Sequence, residues 1–168
     1  QKVCALTQVS RLNLEELDLI YQDLLDIGIP LWRVQMTTST GRMCEMRDGT
    51  MTPEDMPELA HKIIEIRDEK KIEIDVGENI GYYGELGDDL WRGYPYLGCY
   101  AGCRVIGIES NGNIKGCLSM PEEFVEGNIR QRPLKEIWFD MSLFSYNRQF
   151  SPDKAEGFCK DCPHLKMC

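Results

Sequence analysis

Cys99-Tyr100-Ala101-Gly102-Cys103, followed by Gly107-Ile108-Glu109-Ser110-Asn111-Gly112-Asn113-Ile114-Lys115-Gly116-Cys117, decides how the later part of this chain folds. Asn111-Gly112 is the commonest signal for a two-residue type I′ turn, so residues 104–110 and 113–117 are predicted to pair as a hairpin. The hairpin places Cys103 and Cys117 at the outer ends of two paired strands, with Cys99 one short turn earlier. Thiolates gathered this way suit Zn²⁺ or an iron–sulfur cluster, since both take sulfur donors in tetrahedral geometry at each metal ion. The alternative for Cys103 alone is a buried strand residue facing the core.

Downstream, Cys159-Lys160-Asp161-Cys162-Pro163-His164-Leu165-Lys166-Met167-Cys168 forms a C-x2-C-x5-C run. The C-x2-C turn points two sulfurs at one metal, and Cys168 lies a further turn away. Metal sites are normally completed by four ligands, whereas each group here has three. The pattern therefore predicts two metal sites in a chain that stops before their last ligands arrive. A zinc ribbon would show a second C-x2-C knuckle, and the single one here tilts the choice toward iron–sulfur while leaving zinc open. His164 is read as solvent-facing rather than as a ligand, and Cys4 and Cys44 as bystanders.

Upstream of these groups, residues 1 to about 80 alternate strand and helix. Residues 3–9 (VCALTQV) make a short apolar run fit for a buried strand. Asn13, with Glu16 three residues on, predicts a capped helix start. Leu17, Ile20, Tyr21, Leu24 and Leu25 give that helix one apolar face, and Gly28 and Pro30 end it. Residues 31–36 (LWRVQM) are the next strand. Residues 37–49 form a loop carrying Gly41-Arg42. Asp55 and Glu58 repeat the capping pattern, before Leu59, Ile63 and Ile66 mark a second buried helical face. Residues 72–76 (IEIDV) close the series. A β-α-β-α-β order implies parallel strands with right-handed crossovers. Three strands covered by helices on one side would form part of a larger α/β barrel or sheet. After about Asp88 the composition turns to Gly, Tyr and Trp, and the remainder reads as a small α+β module in which Pro133 precedes a helix carrying Leu134, Ile137 and Trp138.

The net charge of −9 argues against a nucleic-acid surface, which needs a basic stripe. No run approaches the roughly 18 continuous apolar residues of a membrane span, and no leader-like segment signals export. Eight cysteines could form a secreted disulfide framework, but such frameworks serve small domains without a sufficient core. Amphipathic helices and apolar strands favour reduced, metal-binding thiols in a cytoplasmic chain.

Gly98-Cys99-Tyr100-Ala101-Gly102, Gly107-Ile108-Glu109, Asn111-Gly112, Ile114-Lys115-Gly116-Cys117 and Glu126-Gly127-Asn128-Ile129-Arg130 together resemble the SPASM extension of radical SAM enzymes. Leu134, Glu136-Ile137-Trp138 and Tyr146-Asn147-Arg148 continue the likeness into the C-x2-C-x5-C run. It covers about residues 90–168. Residues 1–88 resemble the later βα units of the partial barrel that precedes SPASM, a weaker likeness resting on periodicity, Asn13-Leu14, Glu16-Leu17 and Gly41-Arg42.

The resemblance implies an α/β fold: the C-terminal part of a partial (β/α) barrel over residues 1–88, then a cysteine-rich SPASM domain over 89–168. It implies that Cys99, Cys103 and Cys117 hold one auxiliary [4Fe–4S] cluster and Cys159, Cys162 and Cys168 a second. Each set lacks one ligand within these residues. The C-x3-C-x2-C of the SAM-cleaving cluster is absent from the 168 residues, so S-adenosylmethionine chemistry would belong to a longer parent. The implied activity is that of an oxidoreductase modifying a peptide or protein, with auxiliary clusters that bind substrate or carry an electron. Gln35, at a strand end, would face the SAM cleft, and Trp91, Tyr94 and Tyr96 would either shield the first cluster or simply pack the hairpin. The rival is a non-enzymatic interaction module stabilised by zinc. In either case, an open barrel edge would drive self-association.

Overall fold

The computed structural model describes residues 3–81, 85–92, 98–163 and 165. The chain divides into two compact units, Gln1–Tyr96 and Leu97–Cys168.

In the first unit, strands β1 (Cys4–Val9), β2 (Leu31–Met36) and β3 (Glu73–Val76) form a parallel sheet in sequential order. Helices α1 (Leu17–Ile27) and α2 (Met56–Asp68) make the two crossovers, and the short α3 (Gly87–Leu90) follows β3. The register aligns Ala5 with Trp32 and Ile74, and Thr7 with Val34 and Val76. Because side chains alternate along a strand, these residues share one face. Trp32 and Val34 are buried there with Leu17 and Tyr21 of α1 and Leu59, Ala60, Ile63 and Ile66 of α2. Both helices therefore cover the same face. Trp32 is fixed by stacking on Tyr21 at 6.3 Å and by donating its indole N–H to Thr7 Oγ1 at 2.8 Å.

The opposite face carries Leu6, Gln8, Arg33, Gln35 and Asp75, and it is polar. Leu6 is exposed, and Arg33 pairs with Asp75 at 2.5 Å and with Glu78 at 2.7 Å.

The helix faces and β2 lie where the sequence puts them, but two starts differ. The Asn13 side chain turns back to accept the Ser10 N–H at 2.8 Å, so it closes the turn after β1, and α1 begins at Leu17 with no side-chain cap. The second capping box is made by Thr52 with Asp55, on a 3₁₀ turn ahead of α2, rather than by Asp55 with Glu58. Gly28 does end α1, in the left-handed region at φ 78°.

The second unit holds the antiparallel sheet β4 (Gly107–Ile108), β5 (Asn113–Lys115) and β6 (Gly127–Asn128), then α4 (Leu134–Phe139) and α5 (Ser145–Arg148). Its strands are shorter than predicted, and its turn is of another kind. The Gly112 N–H donates to Glu109 O at 2.8 Å and the Glu109 N–H to Asn113 O at 2.9 Å. Gly112 has φ 94° and Asn111 a negative φ. This is a three-residue loop, a type I turn closed by a glycine bulge, rather than the two-residue type I′ turn. The Asn128 amide reinforces it, donating to Asn111 O at 3.2 Å and to Asn113 Oδ1 at 2.9 Å. Among the described residues, Ile114, Ile137 and Phe144 form the buried centre of this unit.

Candidate metal centre

The segment between Cys99 and Cys103 is a tight loop. Gly102 N donates to Val105 O at 2.8 Å, and the N–H groups of Cys103 and Arg104 both reach Tyr100 O, at 3.0 and 2.9 Å. Cys103 therefore sits on a turn instead of at the end of a strand, and it is exposed. That overturns the alternative of a buried strand cysteine. Gly102 adopts φ 72°, and a Cβ built on it would lie 2.4 Å from Phe144 Cβ, so the loop packs directly on the buried aromatic.

Side chains from α5, far along the chain, hold this loop by its carbonyls. The Asn147 amide donates to Cys99 O at 2.6 Å and to Ala101 O at 2.8 Å. Arg148 donates from Nε to Gly102 O at 2.6 Å, from Nη1 to Asp140 O at 3.0 Å and from Nη2 to Trp138 O at 2.9 Å. Its guanidinium lies over the rings of Trp138 and Phe144, at 4.9 and 4.6 Å from their centroids. A planar fork of donors suits three fixed carbonyls in a way that a lysine ammonium does not. Sequence reasoning quoted Tyr146-Asn147-Arg148 without a role. The available signal was three hydrogen-bonding side chains together in a helix too short to need them.

Cys117 is half-buried and lies two residues past the end of β5, after Gly116. Lys115, itself buried, reaches Glu109 Oε1 at 2.6 Å and donates to Met120 O at 3.0 Å. The Met120 N–H closes onto Cys117 O at 3.1 Å, so Lys115 secures the turn that carries Cys117. A Cβ on Gly116 would fall 2.9 Å from Gly102 N and 3.0 Å from Ala101 C. The missing side chain lets the Cys117 segment lie against the loop bearing Cys99 and Cys103.

The three cysteine segments are thus neighbours, and Cys99, Cys103 and Cys117 are free thiols. Among the described residues, no three His, Cys, Asp or Glu side chains converge as ligands of a single ion. Three thiols on neighbouring loops are the donor type that an iron–sulfur cluster or a zinc ion takes.

One polar atom beside them finds no acceptor among the described residues. It is the buried Tyr146 hydroxyl; the Gly116 backbone approaches it as a donor, in the slot that a Gly116 Cβ would fill at 2.2 Å. Leaving such a donor unmet costs about 1–3 kcal/mol. Burial and then the nearby Glu126 carboxylate push the phenol pKa up, and Cys99 and Cys103 act in the same sense.

Cys159 ends a 3₁₀ turn and is exposed, and Cys162 is half-buried with its N–H on Cys159 O at 3.2 Å. This is the compact turn expected of a C-x2-C knuckle. Cys168, His164, Tyr94 and Tyr96 lie outside the described residues. Cys4 and Cys44 are exposed in the first unit, apart from either group in sequence.

Residues 99–163 match the family model of SPASM, an iron–sulfur cluster-binding domain. Beyond that match, the chain is similar to the AdoMet-dependent heme synthase of Methanosarcina barkeri (strain Fusaro / DSM 804), 26% identical over 174 residues and 96% of this chain. The chain spans 48% of the length of that relative. Both findings agree with the resemblance to the C-terminal part of a radical SAM enzyme with a SPASM domain. The SPASM match runs from Cys99 through Cys162, and so takes in five of the six cysteines singled out in the sequence. No helix among the described residues is long and apolar enough to cross a membrane.

Proposed function

We propose that this chain is part of a radical SAM/SPASM oxidoreductase whose SPASM domain holds auxiliary [4Fe–4S] clusters. In this reading Cys99, Cys103 and Cys117 ligate the first, and Cys159, Cys162 and Cys168 the second. The observation that carries the proposal is the packing of the Cys117 segment against the Cys99–Cys103 loop through Gly116, with free thiols on each. Bound clusters would supply one-electron chemistry or a site for substrate. The chain's own part is to hold the ligand-bearing loops rigidly, which Asn147, Arg148 and Lys115 do through backbone carbonyls.

The first unit is read as later βα units of a partial barrel. Sequential parallel strands with both crossover helices on one face, and a polar opposite face bearing Gln8, Gln35 and the Arg33–Asp75 pair, support this. In an open α/β sheet crossed in both senses, helices would cover both faces. Among the described residues, β1 and β3 each pair only with β2. Their outer edges would take further strands of the parent barrel, or a second copy of an isolated fragment. A peptide or protein is the proposed substrate class, in a reducing cytoplasm. The relative's name favours a second class, a tetrapyrrole, through likeness along 96% of the chain.

The test is iron and acid-labile sulfide per chain in the anaerobically reconstituted full-length protein. Cys99→Ser/Cys117→Ser and Cys159→Ser/Cys162→Ser should each remove about four irons. Zinc without sulfide would refute the proposal and leave the interaction module. Turnover of a modified peptide against a porphyrin precursor then separates the two substrate classes.

A further inference from the structure

We infer that Tyr146 donates a hydrogen bond from its phenolic O–H to a sulfur atom of the cluster held by Cys99, Cys103 and Cys117, and so raises that cluster's reduction potential. The inference rests on the cluster reading above.

The hydroxyl is buried and, among the described residues, its proton has no acceptor, although a buried phenol usually finds one. Its position is built with care. The ring packs edge-on against Phe124 at a centroid distance of 5.4 Å, and the oxygen occupies the space left by the absent Gly116 side chain. The same absent Cβ would touch Gly102 N and Ala101 C, so the oxygen lies between the Cys117 segment and the loop bearing Cys99 and Cys103. The backbone N–H of Gly116 is a donor and cannot accept the phenol's proton. The nearby Glu126 carboxylate accepts the Phe144 N–H at 2.9 Å and makes no hydrogen bond to the phenol, so sulfur is the acceptor assigned here. Thiols accept weakly, whereas cluster sulfides and coordinated thiolates accept well. A donor aimed at them stabilises the extra electron of the reduced state and raises the potential.

The experiment uses the full-length protein carrying Cys159→Ser and Cys162→Ser, which isolates this cluster from the second; any SAM-cleaving cluster contributes equally to every variant and subtracts. Tyr146→Phe should keep iron and sulfide per chain unchanged and shift the midpoint potential down in an EPR-monitored titration. It should also lose one exchangeable-deuteron coupling after transfer to D2O. Fluorotyrosine placed at 146, a stronger donor of nearly the same shape, should shift the potential up even if Tyr146→Phe proves unstable. A loaded cluster whose potential and coupling ignore both changes at 146 would overturn the role of Tyr146 alone. Absence of iron and sulfide from the Cys99 site in the parent protein would overturn the cluster reading and this inference with it.

Discussion

Arg148 is where a small chemical change should cost most. Arg148→Lys keeps the charge but removes the fork that meets the carbonyls of Gly102, Asp140 and Trp138. A single ammonium can satisfy one of the three at a time. Hydrogen bonds from charged donors contribute about 1.5–3 kcal/mol each, and these are partly exposed and share one donor group, so they do not add fully. Losing two should destabilise the second unit by about 3 kcal/mol, and Arg148→Ala, which also loses the stacking on Trp138 and Phe144, by about 4 kcal/mol.

Trp138 makes the change visible, because its ring lies under the guanidinium and its emission reports this unit. The buried Trp32 reports the first unit, whose transition serves as an internal reference. With a urea slope of about 1 kcal/mol/M for a region this small, the Arg148→Lys midpoint should fall by about 3 M while the Trp32 transition stays in place. The measurement is urea unfolding of the full chain under reducing conditions, with and without reconstituted iron. A midpoint shift below about 0.5 M for Arg148→Lys would refute the argument that the fork holds the cysteine loop.

Gly102→Ala forces a side chain into the left-handed region and against the Phe144 ring, and should cost about 2–4 kcal/mol. Gly28→Ala has the same backbone problem with empty space around it, so about 1 kcal/mol is expected in the same thermal-melt comparison. Asp55 is held down at about 2 by its hydrogen bond and ion pair with Arg11 and by the Thr52 N–H. Since the folded value lies below the unfolded one, this stabilisation is complete above about pH 4 and lost as pH falls through about 2. After solvent screening it contributes about 1 kcal/mol, so Asp55→Asn should flatten the acid limb of the stability profile between those limits. Lys115→Met leaves Met120 O unmet and frees the turn bearing Cys117, so iron content at that site should fall even where circular dichroism is unchanged.

What could be read from the sequence follows how each feature is encoded. β2 and the buried faces of α1 and α2 were legible because burial repeats along the chain with the period of the element, as at Leu59, Ile63 and Ile66. The caps were less so. Asn13 had two local uses for one side chain, and the turn at Ser10 won over the helix end. Asn111-Gly112 marked a reversal correctly but not its kind, since both turn types place Gly112 in the left-handed region, and Asn128, from β6, reinforces the observed loop. The cysteines were legible as donors in order and spacing. Asn147 and Arg148 were not, because a side chain bound to carbonyls 46 or 48 residues away leaves no periodic trace.

That last miss bears on how the second unit is held together. Fifteen buried apolar residues form the core of the first unit, against three in the second, among the described residues. A core of Ile114, Ile137 and Phe144 is too small to fix 72 residues by burial alone, and small scaffolds of this kind rely on staples. Among the described residues the cysteines form no disulfide, and the staples include the side-chain-to-carbonyl bonds of Asn128, Asn147, Arg148 and Lys115, together with whatever the cysteines bind. Metal binding then contributes to folding as well as to chemistry. Removing iron with a chelator should lower the Trp138 transition by more than Arg148→Lys does, while leaving Trp32 unmoved. Equal midpoints with and without iron would mean that the loops stand without their cluster, and the stapling argument would fail.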